Sequence, residues 1–187
     1  MEAGKLREAL RDLTEFTRRY QRLFGRPELG RHAQSYLRGL LSRADRKSVE
    51  PIALEEGSKV RTLQHFIGQA RWRDERVIQE HQRHVSETLG RPDGVLIFDG
   101  SGFPKQGKHS VGVARQYCGQ LGKQDNCQVA VSLSIANHHA SLPVAYRLYL
   151  PKDWAADDER RHEVGVPEEI VFKTKPEIAL DQLRWAC

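Results

Sequence analysis

Residues 5–24, KLREALRDLTEFTRRYQRLF, place Leu6, Leu10, Leu13, Phe16, Tyr20 and Phe24 three or four apart, the spacing of an amphipathic helix. Gly25, Arg26 and Pro27 break that pattern. A second helix is predicted from Leu29 to Leu41, burying Ala33, Leu37 and Leu40 with Tyr36 at the flank of the stripe. Ser48 is placed to cap a short helix through Ala53 and Leu54. Pro51 falls in or near its first turn, where a missing N–H costs little, and Gly57 ends it. KVRTLQHFIGQAR (59–71) predicts a third helix carrying Val60, Leu63, Phe66 and Ile67. Asp74 opens a longer one with Val77, Ile78, Val85 and Leu89 inward, closed by Gly90 and Pro92.

At Gly94 the pattern changes. VLIFD (95–99) is a short apolar run of the kind found in a strand buried on both faces. VGVARQYCG (111–119) reads as extended. CQVAVSLSIA (127–136) alternates, with Val129, Val131, Leu133 and Ile135 on one side. Asn137, His138 and His139 form a turn, and LPVAYRLYL (142–150) alternates again, so these two runs predict an antiparallel hairpin. A polar, charge-rich loop follows Pro151, and Pro176 starts a helix, PEIALDQLRWAC. The expectation is an α+β chain with a helical domain over 1–92 and a strand-bearing domain over 93–187. The final helix runs to Cys187 without a Gly or Asn cap, and three or four strands make a small sheet. Both features suggest the N-terminal portion of something longer.

Composition narrows the classes. Apolar residues make up 39% and charged residues 29%, as in an ordinary soluble protein, and no stretch approaches the roughly 18 uncharged apolar residues of a membrane span. The opening MEAGKLREALRD is charged and helical in pattern, unlike a secretory signal. Cys118, Cys127 and Cys187 give no even framework and no close pair, which fits a reduced, cytoplasmic setting. The net charge of +5 is all N-terminal: residues 1–94 hold 19 lysines and arginines against 14 acids, whereas 95–187 hold 11 of each. Sixteen of those 19 cations are arginine, whose fork suits phosphate oxygens. Arg71, Arg73, Arg76 and Arg83 lie near or along one helix with Trp72 among them. They form either a DNA-facing surface or a solvated face.

The chemistry gathers in VLIFDGSGFPKQGKHSVGVARQYCG (95–119). Asp99 ends the apolar run; five glycines follow, with Lys105, Lys108, His109 and Arg115 and no further acid. Gly102 to Lys108 fits G-x-x-x-x-G-K, but His109 stands where a phosphate loop needs Ser or Thr, and no helix pattern follows. Zinc is disfavoured because eight residues separate Cys118 from Cys127 and His81 and His84 have no companion pair. Nothing local lowers a thiol pKa beyond nearby cations, so the cysteines read as small buried hydrophobes. Asp99 itself is either a ligand for a divalent ion, which favours one or two carboxylates plus phosphate oxygens, or an acid bonding the backbone of the turn after its strand.

The stretch FDGSGFPKQGKHSVGVARQYCGQLGKQDNCQVAV (98–131) resembles the catalytic-core opening of bacterial insertion-sequence transposases of the DDE class. LYLPKDWAADDERR (148–161) and GVPEEIVFKTKPEIA (165–179) look like the segments that follow it there. YLRGLLSRADRKSVEPIA (36–53) and LQHFIGQARW (63–72) are similar to the family's helical N-terminal region. The resemblance implies the first part of an RNase H-like mixed sheet, with Asp99 as the first acid of an Asp-Asp-Glu triad that binds Mg²⁺ or Mn²⁺. It implies transposon-end and target DNA as partners, and the charge pattern offers Arg71, Arg73, Arg76, Arg83, Lys105, Lys108 and Arg115 as the contacts. A homo-oligomer, or a mixed dimer with a full-length copy, is a further expectation. In the family the second Asp follows the helix that here reaches Cys187, and the Glu lies further on. The chain is therefore expected to be truncated and inactive alone, or to act as a non-catalytic DNA-binding module. Gly100-Ser101 departs from the acid and Thr common after that first Asp.

Overall fold

The computed structural model describes residues 3–186 and, among them, every side chain except those of Ala3 and Leu6. The expected inward place of Leu6 and the helix end at Cys187 thus lie outside the described residues. The chain divides into two compact units, Met1–Glu80 and His81–Cys187.

The first unit is helical: α1 (Ala3–Gln21), a 3₁₀ turn (Arg22–Phe24), α2 (Pro27–Leu41), α3 (Val49–Glu55), α4 (Val60–Gly68) and the start of α5 (Asp74–Leu89). The breaks are those the glycines allow, since Gly25 and Gly57 take φ of +73° and +63°, a region costly for residues with a Cβ. Phe24, Ile52, Ala53, Leu63 and Phe66 form the core. Trp72 closes it, stacked on Phe66 at 6.0 Å and tilted against Phe24 at 5.1 Å.

Periodicity misplaced several side chains here. Leu10, Phe16, Leu40, Ile67 and Ile78 are exposed. On α2 the buried positions are Gly30 and Gly39, and Ile52 of α3 sits so close that a Cβ on Gly39 would lie 2.2 Å from its Cγ2. On α5 Val85 and Leu89 are buried as expected, and so is Glu80, which pairs with Arg19 of α1. Ser48 stands at the start of α3 but its side chain makes no capping bond.

In the second unit β3 (Lys123–Ala136) is the spine, and β1 (Val95–Pro104), β2 (Ala114–Cys118) and β4 (Ser141–Leu148) all pair with it, each antiparallel. With eight helices and this four-stranded sheet among the described residues, the α+β class holds. The expected strand at 95–99 is twice as long as its apolar run, so Asp99 sits mid-strand rather than at a strand tip. Nor is that run buried on both faces: Val95 is 58% and Ile97 44% exposed, because β1 pairs only with β3 among the described residues.

The loop expected after Pro151 instead contains α6 (Lys152–Ala155) and α7 (Asp158–Glu163). Trp154 drives that ordering. It is buried, its Nε1 donates to the Val113 carbonyl at 2.8 Å, and the Arg160 guanidinium lies 3.5 Å from its ring centroid. The final helix, α8 (Lys175–Ala186), starts on a capping box: Thr174 N–H and hydroxyl both donate to the Glu177 carboxylate at 2.7 Å. Gln182 then donates to the Val131 carbonyl of β3 at 3.1 Å, while Asp181 pairs with Arg147 and Lys173.

The composition shift at Gly94 suggested a domain boundary after residue 92, but the compact units part within α5. His81 and Gln82 hydrogen-bond the Pro143 and Val144 carbonyls of β4, and Asn137 donates to the Leu89 carbonyl. Those bonds tie the second half of α5 to the sheet.

Candidate functional site

Asp99 pairs in register with Ser132 of β3, and Ser132 with Tyr146 of β4. Because strand side chains alternate and paired residues share a face, Asp99, Ser132 and Tyr146 form a row across one face of the sheet. Ser132 is buried and its hydroxyl donates to the Asp99 carbonyl at 3.3 Å. The Asp99 carboxylate is exposed; Oδ1 accepts the Gly100 N–H at 2.7 Å, and Oδ2 takes no hydrogen bond among the described residues. That local bond orients the carboxylate and leaves one oxygen open.

A hard divalent cation wants several such oxygens. Among the described residues no three His, Cys, Asp or Glu side chains gather to hold a metal. Asp99 is one suitable ligand, and the residues present do not complete a metal centre.

Lys105, Lys108 and Arg115 are exposed and are brought together. Arg115 of β2 is in register with Asn126 of β3. The Asn126 Nδ2 donates to the carbonyls of Lys105 and Gly107 at 2.7 and 2.9 Å, and Lys105 N–H donates back to the Asn126 carbonyl. One asparagine therefore pins the lysine loop beside Arg115. Lys108 and His109 border a hollow of about 320 Å³ shared with Asp157, Glu159, Arg160 and Glu163, so that end is mixed in charge. The loop leads through a turn into β2 and not into a helix, which removes the geometry of a phosphate loop. These cations do not surround Asp99: Lys105 is six residues along the chain, on the order of 20 Å in extended backbone.

The arginines distribute differently. Arg71 and Arg73 precede α5 and Arg76 lies in its first turn, all exposed in the first unit. Arg83 belongs to the second unit and pairs with Glu87 at 3.8 Å. Trp72, which stood among them in the sequence, is a core residue of the first unit.

Cys118 and Cys127 are unoxidised and fully buried with Val129, as small hydrophobes would be. Burial pushes the Cys127 thiol above its usual range, reinforced by the adjacent Cys118, the opposite of what a nucleophile needs. Gly102 makes this cluster possible, since a Cβ there would lie 2.9 Å from the Cys118 sulfur.

Sequence reasoning passed over Tyr146, Tyr117, Asn126 and Ser132. The extended reading of 111–119 already placed Arg115 and Tyr117 on one side of a strand. That Asn126 and Ser132 stand opposite Arg115 and Asp99 needed the register.

The family model described as DDE superfamily endonuclease matches residues 19–187. The chain is 32% identical over 143 residues, 75% of its length, to a protein of Microchaete diplosiphon described as a probable transposase for insertion sequence element IS701. It spans 34% of that relative's length. No solved structure matches.

Proposed function

The chain belongs to the DDE superfamily endonucleases, and from that membership we propose that these residues are the N-terminal DNA-binding and first catalytic segment of an insertion-sequence transposase. The observation that carries the reading is Asp99. It is an exposed carboxylate fixed in the middle of a sheet strand, with one oxygen held by Gly100 and the other open. Its role is to ligate a divalent ion, Mg²⁺ or Mn²⁺, which would supply Lewis-acid chemistry at a DNA phosphodiester. The remaining ligands are the second Asp and the Glu of the triad, on an RNase H-like core. With one carboxylate in place, the 187 residues alone bind DNA without cutting it. The helical region through residue 92 and the Lys105–Arg115 surface provide the phosphate contacts. Pairing with a second, full-length copy would make such a chain a regulator as well as a fragment of the enzyme.

Incubating the purified chain with insertion-end DNA and Mg²⁺ or Mn²⁺ tests this. Salt-dependent binding without strand cleavage is expected. Robust cleavage abolished by Asp99→Ala would overturn the inactivity, and absence of DNA binding at low salt would overturn the DNA reading.

A further inference from the structure

The β2–β3 hairpin has one face committed to the core and one that is not. On the inner face, Gln116 donates to the Cys127 carbonyl at 3.0 Å, and Cys118 and Cys127 are fully buried. On the outer face stand Arg115 and Tyr117, two residues apart on β2 and opposite Asn126 and Gln124 of β3. Tyr117 is 60% exposed, and its hydroxyl has no partner among the described residues. Fold stability does not account for placing this large ring outward, because the inner face already holds the hairpin.

Its surroundings select a ligand by charge. From Gly100 through Gln124 the sequence contains no acid. Asn126 fixes the Lys105 loop beside Arg115. The ammonium of Lys123 pairs with Asp125 at 3.1 Å, and that carboxylate, the one acid of the hairpin, also feels the charge of Arg115. A flat aromatic ring with a guanidinium two residues away and an ammonium on a pinned loop matches one chemical unit: a base attached to phosphates. Paired bases offer no open face to a surface ring, whereas unpaired bases stack on exposed aromatics, with positive side chains tracking the backbone.

We propose that this hairpin face is a stacking site for an unpaired nucleotide of DNA, with Tyr117 as the platform and Arg115 and Lys105 holding adjacent phosphates. The site rests on the DNA reading above and deepens it, naming single-stranded DNA as the form preferred at this surface.

Fluorescence anisotropy of the full chain with a labelled oligo(dT) 15-mer and with a 20-base-pair duplex, over a salt series, tests the site. Tyr117→Ala weakens oligo(dT) binding roughly ten-fold or more and leaves duplex binding within about two-fold. Tyr117→Phe keeps the ring and the affinity. Tyr117→Leu keeps apolar bulk without a π face and loses affinity as Ala does, so lost folding is not mistaken for lost stacking. Arg115→Ala weakens both forms and lowers the salt slope by about one. If the chain binds DNA but Tyr117→Ala and Tyr117→Leu leave oligo(dT) binding unchanged, or weaken both forms equally, the stacking site is wrong while the DNA reading stands. If the wild-type chain binds neither form at low salt, both fail.

Discussion

The two compact units solve burial in opposite ways. In the first, five residues from the 3₁₀ turn, α3 and α4 meet in one cluster that Trp72 seals. In the second, burial is spread along the sheet: Val113–Leu150–Trp154 and Cys118–Cys127–Val129 form two small clusters, Val131, Leu133 and Ile178 are buried outside them, and Val95, Ile97, Phe103, Tyr117 and Tyr146 stay exposed. A helix can turn a whole stripe toward one neighbour. A strand must divide its side chains between two faces, and β1 has a partner on only one edge among the described residues. The unit whose core is spread along a sheet is also the one that carries Asp99 and the lysine loop.

This contrast can be broken by substitution. Trp154→Ala should have the largest effect, roughly 3–5 kcal/mol, because it removes a buried indole, orphans the Val113 carbonyl and strips the surface under Arg160. Gly39→Ala should cost about 1–3 kcal/mol by forcing α2 away from Ile52. Residue-resolved hydrogen exchange is the informative measurement for both. Trp154→Ala is expected to lower protection in β3 and its partners, and Gly39→Ala in α2 and α3. If either substitution unprotected both units equally, the division at residue 80 would have no energetic meaning.

Acid should act on the second unit through α8. Hydrogen bonds from Thr174 lower the Glu177 pKa, and hydrogen bonding to Lys173, followed by charge and Arg147, lowers that of Asp181. Carboxylates depressed in the folded state contribute stability that is present above their unfolded values, near pH 4. That stability is lost as pH falls through the still lower folded values. Protection of α8 amides should therefore hold from neutral pH down to about 5 and fall below about 4. Asp181→Asn should flatten part of that response. The smallest change is expected from Asp99→Ala: the carboxylate is exposed and bonds only its neighbour's N–H, so the melting curve should shift within the ±0.5 kcal/mol of a surface substitution. A larger loss would make Asp99 a structural acid.

Much of the first unit was legible in the sequence, because helix periodicity and glycine breaks act over four residues or fewer. It failed at Leu10, Phe16, Leu40, Ile67 and Ile78, which are exposed, while Gly39 and the paired Glu80 are buried on α2 and α5. In the second unit the strands were legible and their relations were not. The apolar run VLIFD stopped at Asp99, so the strand was read as stopping there too, although backbone pairing with β3 continues to Pro104. Trp154 ordered α6 and α7 out of a segment whose charge suggested a loop. The last helix was read as starting at Pro176, and the capping pair of Thr174 and Glu177 that opens α8 went unread.

The sequence by itself determined most of the helices and strands, the acid-free positive stretch after Asp99 and the resemblance that identifies the family, since each depends on residues close together in the chain. Tertiary structure decided which chemistry shares a surface. The register against β3 put Asp99 in a row with Ser132 and Tyr146, and set Arg115 opposite the asparagine that holds Lys105. Pairing between strands brings together residues 5 to 41 positions apart, and no local pattern encodes which of two possible registers places a side chain on one face or the other.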